Sequence, residues 1–198
     1  MATIRVVARR GVARTRMSDI ADEIGVTAPL LLHYFGSKNE LITQALVASD
    51  EAYLDEFIAD FRSGERPERL VVRYVEDSVW PTPEARAWWA EASAVWMNAW
   101  ITALHDQSIA TVRAEEDQRW REALAEVIAK GQADGAFMGT VDPATLVRTL
   151  FALLDGFMVQ LVLEDPRVSS RFAYEESLRF VGNELGFDPR EFSSRDAG

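Results

Sequence analysis

The chain has 198 residues, 48% of them apolar, enough to bury one large core or two smaller ones. It contains no cysteine, which excludes disulfides, thiolate metal sites and cysteine nucleophiles. The net charge of −11 is unevenly spread: residues 1–46 carry six basic and four acidic side chains, which leaves −13 for residues 47–198. Counterion release is local to a contact, so a basic head on an acidic body is compatible with binding DNA in one orientation. No apolar core follows the N-terminal arginines, as a secretory leader requires. The longest apolar stretch, Leu146 to Leu163, is interrupted by Arg148, Asp155 and Gln160. The expectation is a soluble cytoplasmic protein.

In chain order, residues 2–10 read as a first helix with Ile4 and Val7 inward and Gly11 as its stop. Thr15 suits the N-cap of a second helix, in which Ile20 and Ile24 share a face and Ala21 is small enough for a close crossing. Gly25 is its left-handed stop. Thr27 is placed to cap a third helix, with Pro29 in the first turn and Leu31 inward. A small residue, a glycine four later and an aliphatic six beyond that form the skeleton of a helix-turn-helix. Its second helix enters the major groove. The spacing alone also fits an ordinary helical corner.

Ser37-x-x-Glu40 is a capping box opening a fourth helix. Its apolar positions from Leu41 to Phe61 keep helical spacing, so a domain boundary is expected inside it, near residues 46–50. A fifth helix is expected over Pro67 to Trp80, and a sixth from Pro83 and Glu84 to about His105. A seventh covers roughly Asp106 to Gln132, heavily charged between Arg113 and Glu122. Asp142-Pro143 opens an eighth, running to about Glu164. Ser169 or Ser170 opens a ninth, which closes at Gly186, and residues 187–198 are expected to fray. No stretch alternates with period two. The fold expected is all-α, about nine helices: a helix-turn-helix domain over 1–46 joined by a long helix to a ligand-binding and dimerisation domain over 47–198.

The residues around the helix-turn-helix say more than its spacing. His33-Tyr34-Phe35-Gly36-Ser37-Lys38, preceded by Asp19-Ile20-Ala21-Asp22-Glu23-Ile24-Gly25-Val26-Thr27, resembles the N-terminal domain of the TetR family of transcriptional regulators. The resemblance implies that Thr27, Ala28, Leu30, Leu32 and His33 face the groove. It further implies that Tyr34, Lys38, Arg16 and Ser18 bind backbone phosphates. The reading face departs from the family's usual polar one. Leucine contacts thymine methyls but makes no bidentate hydrogen bond, which leaves His33 as the main polar reader and gives weight to indirect readout. The first helix is also about a turn short for the family.

Four of the six tryptophans fall in the sixth helix. Trp88, Trp96 and Trp100 lie on one stripe and Trp89 with Met97 on the next, a pattern that serves either a bundle core or an indole-walled pocket. In the family the effector pocket lies in this body. The candidate lining is Tyr74, Asp77, Trp88, Trp89, Trp96, Asn98, Trp100, Phe151, Asp155 and Met158. Asp155, embedded in Leu153-Leu154-Asp155-Gly156-Phe157-Met158, needs a partner or a cationic guest. Residues 86–163 are similar to the C-terminal domain of choline-responsive regulators of the betaine pathway. The features are the aromatic helix, Gln132-Ala133-Asp134-Gly135 and Leu153-Leu154-Asp155-Gly156.

The resemblance implies a repressor that a small-molecule effector, cationic or aromatic, releases from a palindromic operator on double-stranded DNA. It also implies a homodimer through helices eight and nine. No membrane role, cofactor, metal or catalysis is expected: there are two histidines and no phosphate loop or Ser-His-Asp context. A TetR-like protein acting through protein contacts, with weak or no DNA binding, is the alternative.

Overall fold

The computed structural model describes residues 2–82, 86–105 and 107–194, apart from the side chains of 8, 87, 88, 98, 102 and 108. Among the described residues there are nine α-helices, one short 3₁₀ helix and no strand. They are α1 (Ala2–Arg10), α2 (Met17–Ile24), α3 (Ala28–Phe35), α4 (Lys38–Ser63), α5 (Pro67–Val79), α6 (Arg86–Ala103), α7 (Gln107–Ala133), α8 (Pro143–Val162) and α9 (Ser170–Leu185). The 3₁₀ turn Pro189–Phe192 follows. The all-α expectation holds. The expected openings of the sixth and seventh helices at Pro83, Glu84 and Asp106 lie outside the described residues.

Two compact units form, each from separate parts of the chain. The first combines residues 1–53 with 82–114, and the second 54–81 with 115–198. The division falls inside α4, between Tyr53 and Leu54, and α6 belongs to the first unit. In that unit α1, α2, α3 and the start of α4 enclose Ile4, Val7, Ile20, Ala21, Leu31, Leu41 and Ile42, and α6 adds Ala92 and Val95. In the second unit, α5, α8 and α9 pack together over Leu70, Val75, Leu146, Leu150, Tyr174, Leu178 and Val181, all at most 2% exposed except Leu178 at 5%.

Three local expectations are corrected. Thr15 does not cap α2. Its hydroxyl donates to the Gly11 carbonyl at 2.8 Å and the residue is buried, while Asp19 caps from inside by accepting the Arg16 N–H at 2.8 Å. Ile24 shares a face with Ile20 by spacing, yet it ends the helix and is 42% exposed. The tail does not fray as far as Ser194. Pro189–Phe192 packs on α5 and α9, and Glu76 of α5 accepts the Ser193 hydroxyl at 3.0 Å and the Ser194 N–H at 2.7 Å. No local sign in the sequence marks this anchorage, because the buried acid that receives Ser193 and Ser194 lies over a hundred residues away.

The expected capping box at the start of α4 is half formed. The Ser37 hydroxyl accepts the Glu40 N–H at 3.1 Å, while the Glu40 carboxylate accepts from Gln44 instead. α8 has the length and hydropathy of a membrane span, and only 28% of its apolar window is buried. It also packs against α5 and α9.

Candidate DNA-binding face and effector site

The turn between α2 and α3 is built by Gly25, whose φ of 75° only glycine adopts without strain. It lets both the Gly25 and Val26 N–H groups reach the Ala21 carbonyl, closing the helix end. Thr27 takes the N-cap position of α3, though its side chain makes no capping hydrogen bond, and Pro29 stands in the first turn, where no N–H is missed. Leu31, 5% exposed, ties α3 to Ile20 and Ala21 in the core. Together with Ala28 and Phe35, which pack on the same core, it fixes the helix's roll.

With Leu31 inward, helical periodicity turns Pro29 and His33 outward, flanked by Leu30 on one side and Leu32 on the other. Leu30 is 43%, Leu32 52% and Tyr34 73% exposed, and Thr27 and His33 are exposed as well. Ala28 is half-buried against the core. His33 and Tyr34 meet edge to face with ring centres 5.5 Å apart. Arg16 and Ser18 are exposed at the start of α2. Lys38 is half-buried, and its Nζ donates to the Val12 carbonyl at 2.9 Å. It retains two further N–H donors.

Charge on this unit is arranged in pairs. Glu23 of α2 accepts from Arg9 at 2.6 Å and Arg5 at 3.3 Å, and Asp19 pairs with Arg10 at 2.9 Å. The hydrogen bond from Arg9 is the largest influence holding the Glu23 carboxyl below its ordinary value. The three arginines are more than half exposed, and such pairs contribute little, so phosphate can compete for them.

The candidate effector residues separate. Trp89, Trp96 and Trp100 are half-buried on α6 in the first unit, and the side chains of Trp88 and Asn98 lie outside the described residues. Trp96 packs against the helix-turn-helix core, so this indole is wall as well as candidate lining. Arg113 stacks over Trp100 with its guanidinium carbon 4.8 Å from the ring centre.

Tyr74, Asp77, Phe151, Asp155 and Met158 are half-buried in the second unit. There Tyr74 stacks on Phe151 at 5.6 Å and meets Trp120 of α7 at 5.3 Å, and Trp120 meets Phe57 of α4 at 5.5 Å. Sequence reasoning passed over Trp120 because it sits in the charged part of α7. Its spacing to Leu124, Val127 and Ile128 is the signal that finds it. Beside this cluster a cavity of about 220 Å³ opens between α4 and α7. Its walls include Leu54, Phe57, Phe61 and Val127, and its charged lining is Arg62, Arg119, Glu122 and Glu126. None of the residues proposed from sequence lines it. Among the described residues no cluster of His, Asp or Glu could hold a metal ion.

A helix-turn-helix with an outward-facing second helix, on a chain that continues into a second helical unit, defines a two-part transcriptional regulator rather than an enzyme. Residues 1–45 match the bacterial regulatory proteins of the tetR family, and residues 67–186 match the BetI-type transcriptional repressor C-terminal domain. The chain belongs to the TetR family, in its BetI-type branch.

It is 24% identical over 188 residues to the HTH-type transcriptional regulator BetI of Stenotrophomonas maltophilia, covering 94% of this chain and 88% of that one. Among solved structures it resembles a transcriptional regulator from Saccharomonospora viridis in complex with choline. The TM-score there is 0.73 at 24% identity, with 93% of each chain covered. A TetR-family regulator from a Rhodococcus species superposes with a TM-score of 0.69 at 20% identity, covering 93% of this chain and 94% of that one.

Proposed function

We propose that this regulator is a repressor that binds a palindromic operator as a homodimer and is released from it by a small-molecule effector. The observation that carries the DNA reading is the outward face of α3, with Leu30, Leu32, His33 and Tyr34 exposed while Leu31, flanked by Ala28 and Phe35, anchors the helix on the core. Thr27 and His33 read base edges beside Ala28, while Arg16, Ser18, Tyr34 and Lys38 hold phosphates. The matches over 1–45 and 67–186 support a DNA-binding domain over 1–46 and a ligand-binding and dimerisation domain over 47–198.

α8 and α9 supply the dimer interface in this reading. Its support is the apolar α8, buried over only 28% of its window, with Leu163 68% and Phe172 of α9 45% exposed. Nothing lies within 4 Å of a Cβ built at Gly156, so a twin helix has room to cross there. Two-fold pairing presents two recognition helices to a palindrome.

The effector is a small cationic or aromatic molecule. Half-buried aromatic rings in each unit and, in the second, the carboxylates of Asp77 and Asp155 are groups of the kind that receive a quaternary ammonium, and the choline bound by the S. viridis protein is consistent with that class. Fluorescence anisotropy against DNA upstream of the gene tests the whole reading. Log affinity falls linearly with log salt, and choline-like cations weaken binding. The apolar α3 face also favours the second reading, a protein-contact regulator. Absence of DNA binding at any salt would select it.

A further inference from the structure

Resting on the DNA-binding reading above, we propose that Leu30 and Leu32 are specificity residues that read thymine methyl groups. The operator half-site then carries A·T pairs on both sides of the base contacted by His33. The two leucines do not fill the core: that place is taken by Leu31, at 5%, while Leu30 is 43% and Leu32 52% exposed. They stand about 100° to either side of Leu31, flanking the Pro29–His33 ridge that lies outermost.

The major groove offers an apolar side chain one partner, the C5-methyl of thymine. Every other base edge there presents donors and acceptors that a leucine desolvates without return. Charge complementarity names DNA as the occupant of this face, because residues 1–46 carry a positive surplus while the rest of the chain carries −13.

The experiment starts from sites selected out of random duplex by the full-length protein. Selected half-sites contain thymine at two positions flanking the His33 contact. Replacing those thymines by deoxyuridine removes only the methyl groups and weakens binding about fourfold per methyl. Leu30→Ala and Leu32→Ala each abolish the sensitivity at one of the two positions and leave the other intact, which separates leucine contact from any change in DNA stiffness. Both leucines are exposed, so the variants melt with the wild type. Deoxyuridine duplexes bound as tightly as thymine ones, or half-sites selected without thymine, overturn the proposal and leave DNA binding standing. Failure to select any DNA overturns both.

Discussion

Replacing Glu76 by alanine unfastens the end of the described chain from α5. The carboxylate is 1% exposed and accepts from Arg69 at 2.9 Å, from the Ser193 hydroxyl at 3.0 Å, and from the N–H and hydroxyl of Ser194 at 2.7 and 2.9 Å. Arg69 also holds the Phe192 carbonyl at 3.1 Å, so the acid orients the cation that grips the next turn. Removing one member of a buried pair costs about 3–5 kcal/mol. Arg69 is 28% exposed and Ser194 is exposed, so water recovers part of the loss and the low end, about 3 kcal/mol, applies.

For a chain of this size that lowers the melting temperature by about 6–12 °C. Burial pushes the Glu76 carboxyl up, but hydrogen bonds from Arg69 and Ser194 outweigh it and hold the group below its ordinary value. The stabilisation is therefore complete above the ordinary carboxylate value and is lost as pH falls through the lower folded-state value. Melting curves of wild type, Glu76→Ala and Glu76→Gln across pH 3 to about 7 check this, the wild type's advantage over Glu76→Gln shrinking on acidification. An alanine variant that melts within about 1 °C of wild type at neutral pH refutes the reasoning.

Other substitutions separate packing from recognition. Leu31→Ala costs about 2–5 kcal/mol of first-unit stability by thermal melt, whereas Leu32→Ala leaves stability within about 0.5 kcal/mol and changes DNA binding. Gly11→Ala costs about 1–2 kcal/mol by urea titration, because φ is 78° and the new Cβ would sit 2.9 Å from Glu91 Oε1. Gly131→Ala meets the Phe137 ring at 2.3 Å and destabilises the second unit by about 1–3 kcal/mol. Its loss shows as lowered yield and earlier unfolding.

The starts of α8 and α9 were legible because each carries a local signal: Asp142 caps α8 by accepting the Thr145 N–H at 2.8 Å, and Ser169 caps α9 by accepting the Phe172 N–H at 3.1 Å. The inward positions Ile20, Leu31, Tyr174 and Leu178 followed from period alone. What stayed hidden depends on distant residues. Thr15 looks like a cap until the Gly11 carbonyl claims its hydroxyl. Trp120 hides among charges, and the tail looks frayed without Glu76. The tryptophan stripe of α6 was ambiguous for the same reason. Only the fold shows Trp96 against the helix-turn-helix core and Trp100 beneath Arg113.

That placement bears on how the proposed effector reaches the reading face. The turn after α1 is gripped from two directions: Glu91 of α6 accepts the Val12 N–H at 3.0 Å, and Lys38, at the start of α4, donates to the Val12 carbonyl at 2.9 Å. Gly11 leaves Glu91 just enough room. α6 carries Trp89 and Trp96 on the same rigid helix, and Lys38 follows α3 by three residues. A ligand shifts an equilibrium only by its difference in affinity for the two states. In the proposed reading, a guest that prefers one setting of α6 therefore has a path to α2 and α3 through the Glu91 carboxylate and through Ala92, Val95 and Trp96 in the helix-turn-helix core. Glu91→Ala is expected to weaken operator binding modestly and to flatten the effector's response, measured as the ratio of DNA affinities with and without choline-like cations. A full response in that variant would move the coupling to α4, which runs through both units.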